Sequence, residues 1–144
     1  MKKKVYGRKF SRDTGSRAAL LRSLTVSFIR SGEIKTTLPK AKAVKPLIEH
    51  LVTVSKKNDL NSHRRVMSEI AQDATAARKL SEEVKTRFKD LNSGFTRIIR
   101  VGKRVGDNAT VVKLSWSRER MEIAEPSETK RKTTPRRSSA SKSA

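Results

Sequence analysis

The sequence predicts an α/β domain of the α+β type, built in the order helix, strand, three helices, two strands. Three observations predict it. Apolar residues recur at helical spacing in four separate stretches. Two β-rich alternating runs, Phe95 to Val101 and Thr110 to Trp116, frame a segment rich in turn residues. Gly, Pro, Asn and Asp punctuate the chain between these runs, so the elements are short and numerous rather than few and long. At 144 residues one core is favoured over two, and composition divides the chain into a basic extended arm (1–12), a domain (13–116) and a tail (117–144).

The first helix is expected to start at Asp13 or Ser16, either of which can accept from orphan backbone N–H groups. Leu20, Leu24 and Phe28 then recur four apart, with Leu21 and Ile29 beside them, and Gly32 is a natural stop. Gly32 to Thr37 alternates around Ile34 and Thr36 and reads as one edge strand. Pro39 follows directly, suited to a first helical turn where its missing N–H costs nothing. The helix it opens places Ala41, Val44, Ile48 and Leu51, with Leu47, on one stripe, and Pro46 inside it predicts a kink.

Lys56 to Ser62 is rich in turn formers. Beyond it Val66, Met67, Ile70 and Ala71 predict a short helix beginning near His63. Asp73 is placed to cap a further helix whose Ala77, Leu80, Val84 and Phe88 share a face, and "LNSG", Leu91 to Gly94, ends it. The last two strands read as a hairpin with Gly106, Asp107 and Asn108 in the turn; the pattern leaves the pairing of the first strand open. The tail carries six basic residues in its last nineteen positions among Pro, Ser and Thr. It is expected to be disordered when free, because it has too little apolar area to offset chain entropy.

Composition narrows function. Lys and Arg number 35 against 14 Asp and Glu, a formal net charge of +21, which a compact state tolerates best beside a polyanion. Aromatics are 4% and hydrophobic residues 34%, predicting a small aliphatic core. With no cysteine there is neither a disulfide framework nor a thiol nucleophile, and the cytoplasm is the expected compartment. No apolar run reaches the roughly 18 residues of a membrane span, so no membrane partner is expected.

Convergent catalytic groups are not legible. His50 and His63 lack metal-ligand spacing, so no metal or cofactor is expected. Gly102 and Gly106 do not form a phosphate-binding loop, since Asp107 stands where its lysine belongs. Glu82 and Glu83 point about 100° apart on a helix and read as two solvated charges. Asp107 is explained by its turn. The chain is therefore expected to be no enzyme and to take no small-molecule substrate.

The basic residues are one-sided. Arg8, Lys9, Arg12, Arg17 and Arg22 are opposed locally by Asp13 alone. Arginine suits bidentate phosphate contact. Arg64 and Arg65 are expected to open the short helix, where N–H groups and guanidinium forks meet one phosphate. Arg97, Arg100, Lys103 and Arg104 line the hairpin and its loop as a basic ridge. The motifs of zinc fingers, basic zippers and homeodomains are missing, as is the aromatic RNP1 pattern. Flexible basic ends on a small body suit threading between helices of folded RNA; a nucleoid-type, DNA-compacting protein is the alternative.

"GRKFSR", "LLRSL", "IKTTLPKAK", the pair Arg64-Arg65, "GFTRI" and "RVGDNA" occur in order over residues 1–116, and together they resemble the bacterial large-subunit ribosomal protein L-seventeen family. The chain departs from that family at Ser16 and Ser23, commonly His and Asn, and at Lys2-Lys3, commonly Arg-His. The resemblance implies helices over a small mixed sheet, no catalysis, and a place on large-subunit ribosomal RNA near the polypeptide exit tunnel, beside neighbouring ribosomal proteins. It implies RNA contacts at Arg8, Arg12, Arg17, Arg22, Lys35, Lys40, Lys42, Arg64, Arg65, Arg97, Arg100 and Arg104. Lys9 and Lys103 join them from the charge pattern.

Overall fold

Asp13 does start the first helix: its carboxylate accepts from the N–H groups of Gly15 and Ser16 at 3.1 and 3.2 Å, satisfying two of the donors a helix start leaves unpaired. In the computed structural model, which describes residues 7–118, α1 spans Thr14–Ser31 and ends on Gly32 in the left-handed region (φ 79°), whose N–H returns to the Phe28 carbonyl at 2.7 Å. β1 (Glu33–Thr37) follows at once and passes without a loop into α2 (Leu38–Lys56). Pro39 occupies the opening turn, and the helix runs through Pro46 as a single element.

α3 spans Leu60–Glu69 and α4 spans Ala74–Arg87. Asp73 caps α4 through the Ala76 N–H at 3.1 Å. α3 starts three residues before the position predicted from His63. Arg64 and Arg65 therefore lie past its first turn, and the expected pairing of their side chains with free helix-start N–H groups does not arise. Ala71 is exposed with φ 58°, so it belongs to the link between helices and not to the core.

β2 (Thr96–Lys103) and β3 (Thr110–Trp116) form the expected hairpin, and the order β1-β3-β2 places the first strand on the far edge of β3. Both pairings are antiparallel. The sheet is thus antiparallel throughout rather than mixed, because the chain reverses direction between each pair of neighbouring strands. A bulge lies between Arg100 and Gly102, at the glycine that interrupts the β-branched run.

α2 is the hub, packing on α1, α3, α4 and all three strands. Ala41, Val44, Ile48, Leu51, Val52 and Val54 are its buried residues. Leu47 is 37% exposed, since the stripe turns away from it toward Val44 and Ile48. The core is also less aliphatic than composition suggests. Four of the chain's six aromatics, Phe28, Phe88, Phe95 and Trp116, are each at most 3% exposed. Trp116 meets Phe28 edge-on at 4.4 Å and Phe88 at 5.3 Å, and Phe88 meets Phe95 at 5.2 Å. Edge-to-face pairs, such as Phe28 with Trp116 and Phe88 with Phe95, add about 0.5–1.5 kcal/mol beyond the area they bury. The tail expected to be disordered, residues 117–144, lies outside the described residues apart from its first two positions.

Candidate nucleic-acid interface

The fourteen basic residues predicted to touch RNA are all at least partly solvent-accessible; only Arg17 and Lys40 are half-buried. A core role is thereby excluded for the other twelve, and what remains is how the fold groups them. Arg8, Lys9 and Arg12 precede the capped start of α1, with Arg12 Nη1 donating to the Phe10 carbonyl at 3.0 Å. The arm turns tightly there, with the Arg12 N–H donating to the Lys9 carbonyl at 3.2 Å and Phe10 and Ser11 at positive φ.

Arg22, one face further along α1, lines a groove of about 230 Å³ with Leu21, Leu47 and Leu51. Glu69 of α3 lines the same groove. Glu69 Oε1 also stands 3.5 Å from both Arg65 Nε and His50 Nε2. The fold therefore brings Arg22 to the groove that Glu69 also lines and Arg65 to the Glu69 carboxylate itself, while Arg64 beside Arg65 is exposed.

At the sheet, register does the grouping. Thr37 pairs with Val111, and Gly102 pairs with Val111 from the other side. The start of α2, with Lys40 and Lys42, thus leaves the same end of the sheet as the hairpin loop with Arg100, Lys103 and Arg104. Arg104 is engaged: its Nε and Nη2 donate to the two Asp107 oxygens at 3.0 and 2.5 Å. This fork and the Ala109 N–H together pull the Asp107 carboxyl down to about 2, and the Asp107 carboxylate in turn raises the guanidinium further above its ordinary value. The pair braces the loop around Gly106, whose φ of 104° only glycine adopts without strain.

Of the fourteen, Arg65 and Arg104 alone meet a carboxylate among the described residues. Two further arginines with a structural task are ones the motifs did not select. Arg30 bonds Asp73 at 2.5 Å and Arg87 pairs with Glu83. Glu83 is only 5% exposed, so the reading of Glu82 and Glu83 as two solvated charges fails for Glu83. The sequence could not distinguish them, because burial on α4 depends on the helix's rotation against α1.

Sequence reasoning also passed over exposed cations. Arg78, Lys85 and Lys89 stand exposed on α4 and its end, and Arg78 and Lys85 line a cleft of about 520 Å³ with His63 and Ser62. Lys113, on the central strand, shares a sheet face with Lys35 and Arg97 through the register Lys35↔Lys113 and Arg97↔Ser115. Alternation in "TVVKLSW" was the available signal, but only the strand order shows what lies opposite. Among the described residues no cluster of His, Cys, Asp or Glu is arranged to hold a metal ion, and no helix is long and apolar enough to cross a membrane.

Comparison with known proteins gives the family. Residues 20–116 match the sequence profile of the family described as Ribosomal protein L17. The chain belongs to the ribosomal protein L17 family. It is similar to the large ribosomal subunit protein bL17 of Campylobacter jejuni, 46% identical over 102 residues covering 71% of this chain and 86% of that one. It is similar also to the bL17 proteins of Solibacter usitatus, at 44% over 109 residues (76% and 72%), and Allorhizobium ampelinum, at 39% over 116 (81% and 82%). Membership in the L17 family makes the chain a bacterial-type ribosomal protein and not an enzyme.

Proposed function

We propose that the chain is a structural constituent of the large ribosomal subunit, in the cytoplasm, that binds and braces large-subunit ribosomal RNA near the polypeptide exit tunnel by neutralising phosphates. Family membership supports the ribosomal assignment. The observation that carries the mode of action is the set of twelve accessible Lys and Arg side chains that meet no carboxylate among the described residues. Charges so placed repel one another in the free protein and are stabilised by a polyanion, releasing its counterions.

Arg8, Lys9, Arg12, Arg17, Arg22, Lys35, Lys40, Lys42, Arg64, Arg65, Arg97, Arg100, Lys103 and Arg104 are the contacts of this reading. They sit on four separate parts of the domain, α1 with its arm, α3, the hairpin end of the sheet with the start of α2, and, for Lys35 and Arg97, the body of the sheet, as expected of a protein that ties several RNA segments together rather than gripping one. Neighbouring large-subunit proteins are its other partners. The nucleoid-type DNA reading draws on the same charge but has no family support.

Fractionation of a cell lysate on a sucrose gradient tests the assignment. The chain is expected to co-migrate with the large subunit after a high-salt wash. Sedimentation with the nucleoid, or release from the subunit at moderate salt, would overturn it.

A further inference from the structure

The helices gather on one side of the three-stranded sheet. α2 packs on every strand, and the residues that point toward it, Val112, Leu114 and Trp116 with Thr96, are buried. The opposite face carries Glu33 and Lys35 from β1, Lys113 and Ser115 from β3, and Arg97 and Ile99 from β2, since side chains alternate along a strand. Lys35, Arg97 and Ile99 are exposed there, Lys113 is partly exposed, and Ser115, which Arg97 bonds, is buried; no described helix covers Lys35, Arg97 or Ile99.

Two rows cross this face. One runs Lys35, Lys113, Ile99 and the other Glu33, Ser115, Arg97. Lys35 and Lys113 are therefore directly opposed like charges, an unfavourable cross-strand pairing in an isolated protein. Lys113 relieves it by turning to Glu33, Nζ to Oε2 at 2.5 Å. Arg97 Nε donates to Ser115 Oγ at 3.3 Å, which lays the guanidinium across the neighbouring strand. Neighbouring strands lie about 4.8 Å apart, so the three cations span about 10 Å across the sheet.

We propose that this open sheet face, through Lys35, Lys113 and Arg97, seats the sugar–phosphate backbone of an RNA duplex, and that phosphate replaces Glu33 as the partner of Lys113. The inference rests on the RNA-binding function proposed above and adds to it a surface, a residue and a form of RNA. Charge complementarity selects the occupant: three cations against one carboxylate suit phosphates. The form follows from the A-form minor groove, which is wide and shallow and is recognised by its shape and its backbone, and from what the patch lacks. The patch has no aromatic on which an unpaired base could stack, in contrast to single-strand binding sheets.

The test uses the full chain, an RNA duplex of about 24 base pairs and a single strand of the same length, with binding followed against salt. Lys35→Ala/Arg97→Ala/Lys113→Ala is expected to weaken duplex binding at least tenfold and to flatten the log–log salt slope by about 2–3 units, close to one per lost phosphate contact. Glu33→Gln is expected to strengthen duplex binding severalfold, an opposite sign that a folding defect cannot mimic. An unchanged slope in the triple variant, or weaker binding by Glu33→Gln, overturns the sheet-face assignment and leaves this face for a protein neighbour. If the unmodified chain itself binds large-subunit RNA without salt dependence, the proposed function fails first.

Discussion

Glu49, midway along α2, holds the first residue of β2: its Oε1 accepts from both the N–H and the hydroxyl of Thr96, at 3.1 and 2.8 Å, while Oε2 accepts from the Phe95 N–H at 3.1 Å. One carboxylate thereby fixes where the hairpin departs from the helical layer, and with it the placement of Arg97 and Arg100.

Glu49→Ala leaves two backbone donors and a buried hydroxyl without their acceptor. Unsatisfied groups of this kind cost about 1–3 kcal/mol each when water cannot replace the partner. Since Glu49 is only half-buried, a total loss of about 2–3 kcal/mol is expected. Urea unfolding followed by the fluorescence of Trp116, the chain's one tryptophan, measures it. A change below about 0.5 kcal/mol would show that the contact is incidental.

Glu83 and Arg87 form the other interior polar pair, with side chains 6% and 16% exposed. Their close approach is poorly aligned for a hydrogen bond, Glu83 Oε2 and Arg87 Nε having no such partner, so charge supplies the attraction. Arg87 Nη1 also donates to the Arg118 carbonyl at 3.2 Å. Glu83→Gln strands a largely buried guanidinium and is expected to cost about 3 kcal/mol, whereas the double variant Glu83→Leu/Arg87→Leu recovers much of that loss. Equal losses in the single and double variants would contradict the pairing.

The loop pair Arg104 and Asp107 makes a pH prediction. With its carboxyl pulled down to about 2 from an ordinary 3.8, Asp107 contributes order to the loop above pH 3.8, and that contribution is lost as pH falls toward 2. Asp13 and Asp73 are shifted the same way, Asp13 chiefly by Ser16 and Asp73 chiefly by the Ala76 N–H. Carboxyl titration by NMR should place the Asp107 midpoint near 2. A midpoint at the ordinary value would mean that Arg104 is free in solution, and then available to RNA without first giving up this partner.

Gly32→Ala separates backbone conformation from packing. A Cβ there would lie 3.8 Å from Trp116 Cδ1 and Nε1, ordinary contact, so the cost is that of φ 79°. About 1–2 kcal/mol is expected by thermal or chemical unfolding. A loss of 4 kcal/mol or more would instead indicate that the Trp116 cluster is displaced.

Element type and order were legible because each element carries its own punctuation: Asp13 and Asp73 as caps, Gly32 as a stop, Pro39 as a start. What depends on elements meeting was not. Leu47 and Val44 are both apolar positions of one helix, and only the packing of α2 against its neighbours decides that Val44 is buried. The aromatic cluster was hidden for the same reason, since Phe28, Phe88, Phe95 and Trp116 come from four separate places in the chain. The candidate interface divides likewise. Lysines and arginines in motifs could be named from sequence, but Lys113 gains meaning only opposite Lys35, and Arg65 only beside the Glu69 it shares with His50.

The proposed hold on large-subunit RNA by phosphate neutralisation is measured most directly by the dependence of affinity on salt. If about half of the fourteen basic residues contact phosphate, log K for the full chain on large-subunit ribosomal RNA should fall linearly with log salt concentration, with a slope of about −6 or steeper. A slope shallower than about −2 would contradict the claim.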